Sequence, residues 1–92
     1  MRTVHVRIEG RVQGVGYRAW VADTAEAMGL VGWVRNRRDG WVEAVFKGAA
    51  TDVARMLRAC EQGPPGARVE GVEARELDEE SALAGFEVRA TA

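Results

Sequence analysis

Gly32-Trp33-Val34-Arg35-Asn36-Arg37-Arg38-Asp39-Gly40-Trp41-Val42-Glu43 is the stretch whose reading decides the fold. Asp39-Gly40 is a hairpin-turn signature, and the residues on either side of it read as strands. Leu30 to Asn36 forms the strand before the turn and Trp41 to Lys47 the strand after it. The later strand puts Val42, Ala44 and Phe46 on one face and Trp41, Glu43, Val45 and Lys47 on the other. A two-residue turn joins antiparallel strands, so the chain is not a doubly wound parallel sheet at this point.

Upstream of the hairpin the period changes. From about Arg18 to Gly29, Val21, Ala25 and Met28 share one helical stripe with Ala22 at its edge, while Asp23 and Glu26 face away. Trp20 falls off that stripe, which predicts a rim or half-exposed position. Before the helix lies a glycine-rich loop, and before that Thr3 to Glu9 alternates strictly, with Val4, Val6 and Ile8 on one face. Downstream, Thr51 is expected to cap a second helix with Asp52 in its first turn, and Val53, Met56, Leu57 and Cys60 recur at i, i+3, i+4 and i+7. Gly63-Pro64-Pro65-Gly66 ends that helix. Ala67 to Asp78 is extended, with Val69 and Val72 out of phase around Gly71, which suggests a bulge. A charged turn over Asp78 to Ala84 leads to a last strand carrying Phe86, Val88 and Ala90. The order β-α-β-β-α-β-β is an α+β, ferredoxin-like βαββαβ sandwich: a mostly antiparallel sheet of four to five strands with two helices on one face.

Ninety-two residues suit one domain spanning 1–92. No apolar run approaches the roughly 20 residues that span a membrane, and the N-terminus is no secretory signal. With one cysteine there is no disulfide and no thiolate metal cluster. These features predict a cytoplasmic protein with no cofactor and no membrane partner. Net charge is −1, so no general affinity for nucleic acid is expected. The aromatic pattern of an RNA-binding sheet is also missing from Trp41 to Gly48. Twelve of the thirteen basic residues are arginine, so a position needs a second reason to be singled out.

The loop Glu9-Gly10-Arg11-Val12-Gln13-Gly14-Val15-Gly16-Tyr17-Arg18 supplies such a reason. Glycines let successive N–H groups converge, and the helix that follows adds its positive end, a combination that binds anions. Arg18 in the first turn opposes the helix dipole unless an anion lies between them. Gly14 to Ala19 formally matches the dinucleotide fingerprint G-x-G-x-x-A, but that motif belongs to a parallel sheet, which the hairpin excludes. No G-K-[ST] follows, so it is not a Walker loop.

Gly10 to Arg18 resembles the first signature of the acylphosphatase family, and Gly32 to Glu43 resembles the second. Tyr17 stands where phenylalanine is common, Gly16 where some members carry cysteine, and the tail Arg89-Ala90-Thr91-Ala92 is the chain's own. The resemblance implies hydrolysis of acyl phosphates to a carboxylate and inorganic phosphate. It implies Arg18 and Asn36 as the catalytic pair and Arg11, Val12, Gln13, Gly14, Val15, Gly16 and Tyr17 as the phosphate cradle. No metal is expected; phosphate or sulfate would be a product-like ligand, and a monomer is expected. The alternative is a non-catalytic anion- or carbamoyl-phosphate-binding module on the same scaffold. His5 is expected on the solvent side of its strand, Cys60 in the core, and Trp33 and Trp41 in packing beside the hairpin.

Overall fold

The computed structural model describes residues 1–78 and 83–92. Its elements follow in the order β1 (Arg2–Arg11), α1 (Tyr17–Ala27), β2 (Val31–Asn36), β3 (Val42–Gly48), α2 (Ala50–Gln62), β4 (Arg68–Glu76) and β5 (Phe86–Val88). The sheet order is β4-β1-β3-β2-β5. Its ladders are antiparallel except that between β2 and β5, which is parallel. The fold class read from the sequence is the one observed.

Period-two alternation on the central strands makes the layers. Val4, Val6 and Ile8 of β1, Val34 of β2, and Val42, Ala44 and Phe46 of β3 are buried together with Val21 and Ala25 of α1 and Val53, Met56 and Cys60 of α2. Both helices therefore cover one face of the sheet. Each fully buried aliphatic side chain contributes about 1.5–3 kcal/mol relative to leaving it in water, and the helices have no comparable partner elsewhere.

Several local details differ from the sequence reading. Ala49, not Thr51, occupies the cap of α2, and no side chain caps it. The Val53 N–H already donates to the Ala49 carbonyl at 2.9 Å. Alanine's helix propensity extends the helix back past the hydroxyl. Strand β1 runs on through Arg11, so that residue belongs to the sheet rather than to the loop. The irregularity expected near Gly71 is present: Glu9 pairs with Gly71 but Gly10 pairs with Val69, leaving Glu70 as the extra residue of a bulge. The turn expected over Asp78 to Ala84 lies largely outside the described residues. After β5 the backbone continues beside β2. The Arg89 N–H donates to the Val34 carbonyl at 2.8 Å, the Ala92 N–H to the Asn36 carbonyl at 3.1 Å, and the Arg38 N–H to the Ala92 carbonyl at 2.9 Å.

Gly32 holds a close approach that the sequence did not announce. It sits at φ 145°, and a β-carbon built there would land on the carbonyl oxygen of Val45, with the Phe86 ring 3.3 Å away. Phe86 lies stacked on Phe46, ring centroids 5.7 Å apart, and so docks β5 onto the sheet. Replacing Gly32 by alanine forces backbone apart at a positive φ and is expected to destabilise the fold by about 3 kcal/mol. Urea unfolding of Gly32→Ala checks this; a midpoint equal to that of wild type would contradict it.

Candidate functional site

Loop residues 12–16 leave β1 and turn into α1 by way of two glycines. Gly14 has φ 76° and Gly16 φ 77°, and nothing lies within 4 Å of a β-carbon built at either. Backbone angle, not space, calls for glycine there. Gly16 is the cap residue of α1, and its carbonyl accepts the first helical bond from the Trp20 N–H at 3.1 Å. Among the described residues, the N–H groups of Gln13, Gly14, Val15 and Gly16 donate no backbone hydrogen bond. Those opening α1 have no helical partner by geometry. The loop thus presents a run of unpaired donors at the positive end of a helix. No acidic residue occupies the first turn of α1 to balance Arg18, and among the described residues Arg18 has no hydrogen-bond or ion-pair partner.

Two apolar anchors keep this loop down. Val12 is buried, and the Tyr17 ring is buried with its hydroxyl donating to the Cys60 carbonyl at 2.7 Å. That bond ties the start of α1 to the last turns of α2. Burial drives the Tyr17 hydroxyl pKa far upward and pushes the Cys60 thiol up to about 12, so both stay neutral.

The opposite wall is the end of β2. Asn36 is held on one side by its pairing with Val42 of β3 and on the other by the Ala92 N–H. Its side-chain Oδ1 is buried and, among the described residues, has no hydrogen-bond partner. Buried polar atoms are seldom left unpaired without a reason, and here the atom belongs to a residue lining a hollow.

Gln13 joins the two walls. Its Nε2 donates to the Arg37 carbonyl at 2.8 Å and to the Trp41 carbonyl at 2.9 Å, the two residues bracketing the hairpin turn. The glycine loop is thereby pinned to the hairpin that carries Asn36. Beneath the hairpin, on the open face of the sheet, the Glu43 carboxylate receives Arg35 Nε at 2.7 Å and Arg37 Nη1 at 3.3 Å, with His5 Nε2 at 2.6 Å. Burial raises the Glu43 pKa, but hydrogen bonds from His5 and Arg35 outweigh it and hold the carboxyl below its ordinary value. Trp41 carries the guanidinium of Arg7 on its ring at 4.2 Å, and Trp33 carries those of Arg35 and Arg89 at 4.9 and 4.7 Å. The tryptophans therefore pack beside the hairpin, and arginines supply the partners.

Between loop and hairpin lies a hollow of about 270 Å³. Of the residues singled out in the sequence, Val12, Gln13, Gly14, Gly16, Tyr17, Arg18 and Asn36 line it. Arg11 instead faces a separate depression with Glu9, Asp39 and Glu70, and the half-buried Val15 packs on the core. Ala19 and Val88 also line the hollow and were not anticipated. Val88 arrives there through the parallel pairing of β5 with β2, which no local pattern reveals. Among the described residues no three His, Cys, Asp or Glu side chains gather as a metal site.

A family profile described as Acylphosphatase matches residues 4–88. The chain belongs to the acylphosphatase family. It is 67% identical over 67 residues to an acylphosphatase of Rhodopseudomonas palustris, covering 73% of this chain and 68% of that protein. It is 55% identical over 89 residues to one of Azorhizobium caulinodans, covering 97% of this chain and 96% of that protein. The crystal structure of acylphosphatase from Bacillus subtilis superposes with a TM-score of 0.93 at 31% identity, covering 97% of this chain and 99% of that one. The hollow of this family member is assembled from segments distant in sequence, two of which one amide bridges.

Two substitutions test how the walls are held. In Gln13→Ala both hairpin carbonyls keep one donor each, Gly40 N–H on Arg37 and Arg37 N–H on Trp41, so the loss is about 1 kcal/mol. Amide exchange at Arg37 and Gly40 should quicken while that of central β1 does not; unchanged exchange would show that the clamp is dispensable. For Glu43, the folded pKa lies below the unfolded one, so its contribution is complete above the ordinary value of ~4.3 and fades as pH falls through the folded value. Glu43→Gln, whose two arginines can still turn to water, should be less stable by about 2 kcal/mol at neutral pH. That gap should close in acid, as followed by thermal melts from pH 7 to 3.

Proposed function

We propose that this chain works as a hydrolase of acyl phosphates, with the phosphoryl group seated between the glycine loop and Asn36. Membership of the acylphosphatase family supports the reaction class. The observation that carries the site is that one hollow is lined by both the Arg18 guanidinium, without a carboxylate partner among the described residues, and Asn36, whose buried amide oxygen has no donor among them.

In this reading the Arg18 guanidinium and the unpaired loop N–H groups hold the phosphoryl oxygens. A loose phosphoryl-transfer transition state spreads charge over those oxygens, so fixed donors lower its energy most. The Asn36 side-chain amide holds a water with a lone pair aimed at phosphorus, a contribution of position rather than of basicity. The water oxygen forms a bond to phosphorus as the bond from phosphorus to the acyl oxygen breaks. The electron pair departs with the carboxylate and the water proton passes to a phosphoryl oxygen. One acyl phosphate dianion and one water become one carboxylate and one dihydrogen phosphate anion. A leaving carboxylate whose conjugate acid has a pKa near ~4 needs neither a general acid nor a Lewis acid to depart.

Hydrolysis of benzoyl phosphate, followed with and without a chelator, tests this. Wild type should be active in both conditions. Arg18→Ala and Asn36→Ala should each lower kcat by about 10²–10³, and inorganic phosphate should inhibit competitively. Wild type without activity, or Arg18→Ala with full activity, would overturn the reading. Activity abolished by chelator would assign the charge stabilisation to a metal instead.

A further inference from the structure

The hollow has an apolar side that phosphate chemistry does not use. Val88 pairs with Val34, so it lies on the face of the sheet that the helices cover. Val34 is fully buried, yet Val88 is 51% exposed, one of two large hydrophobic residues so open among those described. Strand position predicts cover; the open half of Val88 borders the hollow instead, together with Ala19, which follows Arg18 in the first turn of α1. Among the described residues, no charged side chain besides Arg18 lines the hollow.

The geometry points to Val88 and Ala19 as the seat of the acyl group, giving this enzyme a preference for acyl phosphates whose acyl part is apolar and uncharged. This rests on the proposed acyl phosphate chemistry of the same hollow. An apolar acyl group leaving past Val88 covers that side chain from water, whereas an acyl group bearing a second carboxylate loses hydration there without gaining a partner. Val88 acts on specificity and touches none of the reacting atoms.

The test is a set of kcat/KM values for acetyl, benzoyl and succinyl phosphate with wild type, Val88→Ala and Val88→Lys. Wild type should favour benzoyl over acetyl phosphate and acetyl over succinyl. A methylene in a closed pocket is worth about 10- to 200-fold. On this half-open rim, Val88→Ala should reduce the benzoyl-to-acetyl ratio by about 3- to 10-fold, mainly through KM. Val88→Lys should raise the succinyl-to-acetyl ratio by a similar factor, and thermal melts establish that both variants are folded. Identical ratios in all three proteins, with hydrolysis intact, overturn the acyl seat alone. A wild type that hydrolyses none of the three overturns the reading of the site on which it rests.

Discussion

One side-chain amide carries the geometry of the site. Gln13 reaches from the glycine loop to the carbonyls of Arg37 and Trp41, and without it the loop and the hairpin meet only through the sheet and core behind them. The constraint is topological. The donors lie between β1 and α1, whereas Asn36 lies at the end of β2, and β3 separates these two strands in the sheet. A site of this kind needs a link across its open end. A side-chain amide makes the link without adding net charge to the loop.

On the open face of the sheet several charges are paired. Glu43 gathers Arg35, Arg37 and His5, Arg2 meets Glu76, and Arg7 pairs with Glu9 while lying over Trp41. These guanidinium groups are occupied by carboxylates and indole rings. Arg18, placed where the dipole of α1 already makes a cation unwelcome, is occupied by neither among the described residues. Arg11, Arg38, Arg58, Arg68 and Arg75 share that lack of a partner; what marks Arg18 out is its place in the first turn of α1 on the wall of the hollow.

Much of this was legible in the residues. Alternation and helical period placed the central strands and both helices, because on those elements one face is buried and the other is wet. Gly14, Gly16 and Arg18 stood out through turn chemistry and an ill-placed charge, and Asn36 only through the family resemblance; the fold brings all four to one hollow. What the sequence concealed was long-range. Gln13 was read as part of the phosphate cradle, and the engagement of its side-chain amide on the hairpin is a further role that no local pattern announces. Thr51 was expected as a cap, yet backbone bonds begin the helix before it. Val88 and Ala19 owe their place to a parallel strand pairing and a helix start that meet only in three dimensions. Gly32 read as an ordinary strand residue until the approach of Val45 showed why no side chain fits.

Cys60 has a consequence outside the chemistry of the hollow. It is the chain's single thiol, fully buried on α2, with its pKa pushed up to about 12 and its carbonyl held by Tyr17. A thiol in that setting is inert to soluble disulfides and maleimides until α2 lifts from the sheet. Its labelling rate therefore registers how often the core opens, and in the regime of fast reclosing it reads the free energy of opening directly. The protein carries its own chronometer of core opening, placed away from the hollow and requiring no introduced probe.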